Sequence, residues 1–166
     1  MIEAIYLLRS KGYLLKIDLI GPSTPPGLAE LDKALAKFDK KGLWATNRGR
    51  VSYEEISDEY LKSDLGVFAS SCETFGMILL EKMAIGLPVA CSNMSSMPEI
   101  LQDGGLYFNP EDPLSIADAI ELYLLNPNLR AEKSLRSIEL AHNYSWGKCA
   151  QSTFSFLEKI AREYKK

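Results

Sequence analysis

The sequence predicts an α/β fold, a Rossmann-like doubly wound parallel sheet flanked by helices. Five short, mostly apolar runs are separated from one another by helical patterns along the 166 residues, and crossover helices are how parallel strands are joined. Two of those runs, DLGVFAS (Asp64–Ser70) and PVACS (Pro88–Ser92), lack the polar-apolar alternation of a half-exposed strand and suit strands covered on both faces. No internal repeat, low-complexity tract or linker divides the chain, and its length suits a single domain, residues 1–166, able to bury a core.

The chain opens with Ile2, Ile5 and Leu8 at helical spacing and Gly12 as a stop, and LLKIDLIG follows as the first strand. A domain that enters its first buried strand from a finished helix leads us to expect a C-terminal fragment, with a preceding strand and turn outside this sequence. The breaker cluster PSTPPG (Pro22–Gly27) introduces LAELDKALAKFDKKG, an amphipathic helix with Leu28, Leu31, Leu35 and Phe38 on one stripe. LWATNRGRV supplies the second strand and its loop. Ser52 and Glu55 then form a capping-box pattern ahead of YEEISDEYLKS, because the hydroxyl can accept from the backbone three residues on while the glutamate reaches back.

DLGVFAS is the third strand, a helix starts near Gly76, PVACS is the fourth strand, Ser96 and Glu99 repeat the capping pattern, and GLYFN is the fifth strand. From Pro113 onward the chain reads as mostly helical. Its last helix, within YSWGKCAQSTFSFLEKIAREYKK, turns Trp146, Phe154, Leu157 and Ile160 to one side, a face that either packs on this domain or reaches another.

Charge and composition exclude several classes. The net charge is -3, with 19 Lys and Arg scattered among 22 Asp and Glu, so no basic footprint for nucleic acid or an anionic membrane stands out. Cys72, Cys91 and Cys149 are widely spaced without a CxxC, and His142 is the single histidine, which argues for reduced thiols and no zinc cluster. No apolar run approaches the roughly 20 residues of a membrane span, and no signal-peptide pattern opens the chain, so a cytoplasmic location is expected. His142 reads as a partner of a helix C-terminus, and Cys72, beside Glu73, as a buried or inert thiol, since a neighbouring carboxylate raises a thiol's pKa.

The chemistry concentrates in SSCETFGMILLEKMAIGLPVACS (Ser70–Ser92). Glu73 falls in the loop between the third strand and the helix near Gly76, where unpaired backbone N–H groups and the helix dipole favour an anion and glycine lets it approach. A diphosphate suits that place; so does the plainer reading of a turn glycine with a glutamate facing the dipole. Glu81 lies among Met77, Ile78, Leu80, Ala84 and Ile85, so its carboxylate is either aimed at hydroxyl donors in a cleft, such as the diol of a ribose, or sits at a solvent boundary beside Lys82.

The E-x7-E spacing from Glu73 to Glu81, continued by Ala84-x-Gly86-x-Pro88-Val89, SNMSSMPEI (Ser92–Ile100) and DGGLYFNPEDP (Asp103–Pro113), resembles the donor-binding half of the group 1 family of retaining glycosyltransferases, which have the two-domain GT-B fold. This is the family of bacterial mannosyltransferases, sucrose synthases and glycogen synthases. Looser similarity runs from RGRVSYEEI to NYSW, so nearly the whole chain is covered.

The resemblance implies that Glu73 meets the donor sugar and is the candidate catalytic carboxylate, while Phe75, Gly76, Met77 and Ile78 offer backbone amides to sugar and diphosphate. It implies that Glu81 holds the ribose and that Arg50 and Val51, beside Gly49, line the nucleobase loop; a simple strand-to-helix turn with a solvated Arg50 is the alternative there. It further implies transfer of a hexose, with retention, from a UDP-, GDP- or ADP-linked donor, without a cofactor or an obligatory metal. The acceptor glycan, lipid or small molecule would be held mainly by an N-terminal domain outside this sequence, as would any contact with the inner face of the membrane.

The chain departs from the family pattern in places. Ala69 stands where a proline is usual before Ser70, and Ser95 and Ser96 replace a Gly-Gly. The family's basic Arg and Lys-Gly motif has no counterpart, since Arg9 and Lys11 lie at the wrong end of the first helix. Transfer by the fragment alone is not expected, because it needs an acceptor hydroxyl held about 3 Å from the anomeric carbon. A sugar-nucleotide epimerase would require further acid-base groups, a non-catalytic nucleotide-binding module would not need both glutamates, and a dinucleotide-binding domain would place G-x-G-x-x-G after a strand.

Overall fold

A computed structural model of the protein describes residues 1–164. In chain order the elements are α1 (Ile2–Ser10), β1 (Ile17–Ile20), α2 (Pro25–Phe38), β2 (Ala45–Gly49), α3 (Tyr53–Leu61), β3 (Gly66–Phe68), α4 (Met77–Ala84), β4 (Val89–Ser92), α5 (Met97–Leu101), β5 (Leu106–Phe108), α6 (Pro113–Leu125), α7 (Pro127–Ala141) and α8 (Trp146–Glu163). All five predicted strands form where the apolar runs placed them. Lys165 and Lys166, the end of the expected last helix, lie outside the described residues.

Every strand pairing is parallel. Ile17 of β1 lies opposite Ala45 of β2, Gly66 of β3 opposite Val89 of β4, and Ala90 of β4 opposite Leu106 of β5. The strands fall into two parallel ladders, β1-β2 and β3-β4-β5, joined by crossover helices as in doubly wound sheets. Among the described residues β1 and β3 each keep one edge unpaired.

β4 explains the apolar run without alternation, since all four of its residues are buried. Val89 and Cys91 enter a core with Leu79, Met83, Met97 and Ile100 from α4 and α5. Ala90 points the other way, into a core with Leu8 of α1 and Ile116, Ile120 and Tyr123 of α6. The Tyr123 hydroxyl donates to the Val89 carbonyl at 3.0 Å, so this large buried ring leaves no polar atom unpaired.

Local signals explain the joints. The Ser52 hydroxyl accepts from Glu55 N–H at 3.3 Å and Glu55 accepts from Ser52 N–H at 3.4 Å, closing the expected capping box of α3. After α2, buried Asp39 accepts from the N–H groups of Leu43, Trp44 and Ala45 and so fixes the entry to β2. Burial alone would raise its pKa, but those three bonds and nearby Arg9 hold it below the ordinary value.

Two expectations need correction, and one open alternative is decided. The second capping box does not form, because the Ser96 hydroxyl is taken by carbonyls of the neighbouring loop. Cys72 is exposed, not buried, whereas Cys91 is buried. The apolar face of α8 finds no cover within this domain: Trp146 is 80% exposed and Phe154 71%, and no α8 residue is buried. The stripe of α2 does pack inward through Leu31, Leu35 and Phe38, though only partly, with Leu28 left 39% exposed.

Candidate functional site

The loop Ala69–Phe75 leaves the carboxyl end of β3 and delivers the chain to Gly76, the N-cap of α4. Gly76 has φ 90° and ψ 51°, a left-handed conformation, and a Cβ there would lie 2.6 Å from Met97 Cε. The left-handed backbone favours glycine, and the Met97 contact adds to the cost of any larger residue. Leu79 and Leu80 N–H donate back to the Gly76 carbonyl, whereas the N–H groups of Phe75, Gly76, Met77 and Ile78 have no acceptor among the described residues. The side chains of Met77 and Ile78 are 45% and 47% exposed. Four unpaired donors at the positive end of a helix dipole, beside an open surface, form a shelf for an anion.

Two serines from the β4–α5 turn hold this loop in place. The Ser95 hydroxyl accepts from Glu73 N–H at 3.1 Å and donates to the Glu73 carbonyl at 2.5 Å. Ser96 Oγ lies 3.2 Å from the Phe75 carbonyl and 3.4 Å from that of Glu73. Ser95 itself has φ 59°, unusual for a residue other than glycine. The ring of Phe75 meets Tyr144 edge-on at 5.7 Å. The backbone of Glu73 is therefore anchored, its own amide is used, and the free donors begin beyond it. The half-buried Glu73 carboxylate makes no ion pair or hydrogen bond among the described residues.

Glu81 sits further along α4, half-buried, and accepts a hydrogen bond from the Tyr60 hydroxyl at 3.3 Å. It is not ion-paired with Lys82. That lysine lies against Gly66, where a Cβ would come 2.9 Å from Lys82 Cδ, and its ammonium stands 5.3 Å from the ring centroids of both Tyr60 and Phe68. Burial lowers the Lys82 pKa to about 8, with Cys91 and Glu81 opposing the shift. Burial first, then the charge of Glu81 and the bond to it, push Tyr60 up to about 12.

Arg50 and Val51 follow the carboxyl end of β2, after Gly49 at φ 62°. Arg50 is exposed and makes no ion pair among the described residues, and Val51 is half-buried. With Arg48, Glu55, Asp58 and Lys62 they border a hollow of about 280 Å³ beside α3. A larger hollow, about 370 Å³, opens between β5 and α6 around Leu106, Tyr107, Asp112 and Asp118. It holds none of the residues singled out above, and its Asp112 is engaged in capping α6.

The structure thus gathers Glu73 and the Phe75–Ile78 amides at one helix N-terminus, puts Glu81 on the same helix, and places Arg50 and Val51 on a separate strand-end loop. Tyr60, at the end of α3, links the helix after that second loop to Glu81. The sequence reading missed Tyr60 and the Ser95–Glu73 tie, contacts across 21 and 22 residues that no local pattern marks. Among the described residues, no three His, Cys, Asp or Glu cluster as a metal site, and no helix is long and apolar enough to cross a membrane.

A doubly wound parallel sheet with unpaired amides at a helix start after a strand, flanked by two glutamates, is an α/β architecture shared by many transferases, and comparison with known proteins assigns its family. The family described as glycosyl transferases group 1 matches residues 1–138, and the chain belongs to that family. It is 33% identical over 112 residues to O-antigen chain mannosyltransferase B of Escherichia coli, covering 68% of this chain and 29% of that enzyme. Its fold superposes on Anabaena HepE in complex with UDP with a TM-score of 0.83 at 18% identity, over 95% of this chain and 44% of that one. It also superposes on the C-terminal domain of a group 1 glycosyl transferase, LpcC of Francisella tularensis, with a TM-score of 0.73 at 25% identity, over 86% of this chain and 75% of that one. The structural neighbours are GT-B glycosyltransferases. The chain spans about a third of the length of the curated relatives it matches.

Proposed function

We propose that this chain is the donor-binding domain of a retaining glycosyltransferase that moves a hexose from a nucleoside diphosphate sugar to an acceptor hydroxyl. The observation that carries this is the row of four unpaired amides, Phe75 to Ile78, set between two glutamates. The amides and helix dipole hold the diphosphate and take up charge as it leaves. Glu81 receives the ribose hydroxyls, Arg50 and Val51 border the base, and Glu73, on its anchored backbone, faces the sugar. Acceptor attack comes from the face the diphosphate leaves, with the departing phosphate taking the acceptor's proton. Glu73 orients the sugar and steadies positive charge at the reacting carbon, and the amides carry the leaving-group charge without calling for a metal.

Two relatives support parts of this. HepE is seen with UDP, so UDP is the first nucleotide to test, and the mannosyltransferase supports a hexose donor. The chain's span of about a third of its relatives' length agrees with a domain embedded in a longer protein that binds the acceptor elsewhere. Its donor would place the reaction in the cytoplasm, at the inner membrane face if the acceptor is a lipid.

Calorimetric titration with UDP, GDP and ADP, and with their sugar-linked forms, tests the site. One nucleotide is expected to bind, and Glu81→Ala to weaken it about 10- to 100-fold, as for a lost charged hydrogen bond, without unfolding the domain. Failure of all three nucleotides, together with wild-type transfer by Glu73→Ala and Glu81→Ala forms of the longer protein, would overturn the assignment.

A further inference from the structure

Tyr60 closes α3, and its ring is buried to 8% exposure while its hydroxyl reaches Glu81 Oε2 at 3.3 Å. A buried tyrosine hydroxyl needs a partner. The partner here is the carboxylate that the donor-site reading assigns to the ribose, not a main-chain carbonyl of the core as for Tyr123. The ring is held as well: the Lys82 ammonium stands over it, and the lysine stem is seated on Gly66, where no side chain larger than hydrogen fits without displacing it. Glu81 has no ion pair among the described residues, so the Tyr60 hydroxyl is the side-chain group that restrains its carboxylate.

We infer that Tyr60 is a positioning residue for ribose recognition: its hydroxyl pins one oxygen of Glu81 and turns the carboxylate's remaining lone pairs toward the diol. This role rests on the donor-site reading above. An ionised carboxylate has about four acceptor sites, so one bond from Tyr60 leaves enough for two ribose hydroxyls. Burial and the charge of Glu81 keep Tyr60 protonated, and hence a donor, up to about pH 12. Tyr60 also joins the two parts of the site, since α3 follows the Arg50–Val51 loop and Glu81 lies on the helix of the anion shelf.

The test compares a nucleoside diphosphate with its 2′-deoxy form, using whichever of UDP, GDP and ADP binds best. Calorimetry is run on wild type, Tyr60→Phe and Glu81→Gln. Wild type is expected to prefer the ribo form about tenfold, and Tyr60→Phe to cut that preference to about threefold or less, weakening the deoxy form, which keeps its 3′-hydroxyl, by less than the ribo form. The ratio of the two affinities does not depend on how much of a sample is folded, so partial unfolding of a variant cannot imitate the result. If Tyr60→Phe weakens both forms equally, or neither, while Glu81→Gln abolishes the preference, the role of Tyr60 falls and the ribose site stands. If Glu81→Gln leaves the preference intact, the ribose assignment falls and this role with it.

Discussion

Replacing Gly76 with alanine joins backbone conformation, packing and the anion shelf in one experiment. At φ 90° and ψ 51° an L-residue is strained, by roughly 1–3 kcal/mol. The new methyl would lie 2.6 Å from Met97 Cε and 3.3 Å from its Sδ. Met97 is fully buried, yet a thioether end is adaptable, so the clash adds about 1 kcal/mol. The sum is a loss of roughly 2–4 kcal/mol, which for a domain of this size lowers Tm by about 4–16 °C. Urea unfolding followed by circular dichroism measures it, and repeating the substitution in a Met97→Ala background separates the two causes. The clash should vanish there and the backbone strain remain, so Gly76→Ala should still lose about 1–3 kcal/mol relative to that background. Because strain relief would rotate the amides of Phe75 to Ile78, nucleotide affinity should fall at least tenfold. Stability within about 0.5 kcal/mol of wild type would refute the need for glycine, a scale set by ordinary surface changes. Unchanged affinity in a destabilised variant would refute the shelf as the diphosphate site.

Lys82→Met should stabilise the fold at pH 7. The folded pKa of about 8 lies below the ordinary 10.5, so the unfolded chain binds more protons between those values and the lysine's contribution makes stability rise with pH across that window. Below pH 8 the full penalty is present; at about 1.4 kcal/mol per pH unit it is bounded by roughly 3 kcal/mol, less ~0.5–2 kcal/mol returned by the two rings. Urea unfolding at pH 7 and pH 10 checks this, and a variant less stable than wild type at pH 7 contradicts it. Ser95→Ala removes a hydroxyl that both accepts from and donates to the Glu73 backbone; it should cost about 1–2 kcal/mol and speed hydrogen exchange at the Glu73 amide, and unchanged exchange there would show that the tie does not hold the loop.

Much of this was legible because the signals are local. The five strands and the helices between them follow from apolar runs, Pro and Gly breakers, and caps, all set within a few residues; the Ser52–Glu55 box formed as its spacing required. The shelf at Gly76 was legible too, since a strand followed by a glycine at a helix start leaves free amides whatever surrounds it. Other features were decided only when distant segments met. Ser96 had two partners open to it, its own helix or the Glu73 loop, and proximity chose the loop. Glu81 had hydroxyl donors or Lys82 open to it, and packing turned the lysine to the rings of Tyr60 and Phe68 and gave the carboxylate a hydroxyl from α3. Periodicity in α8 announced an apolar face without saying that this domain leaves it uncovered. Alternation and caps are set by forces acting over one turn of chain, and so are written in order along it. Which side chain a hydroxyl or an ammonium finally meets depends on how helices pack across the sheet, and that is determined by the whole core at once.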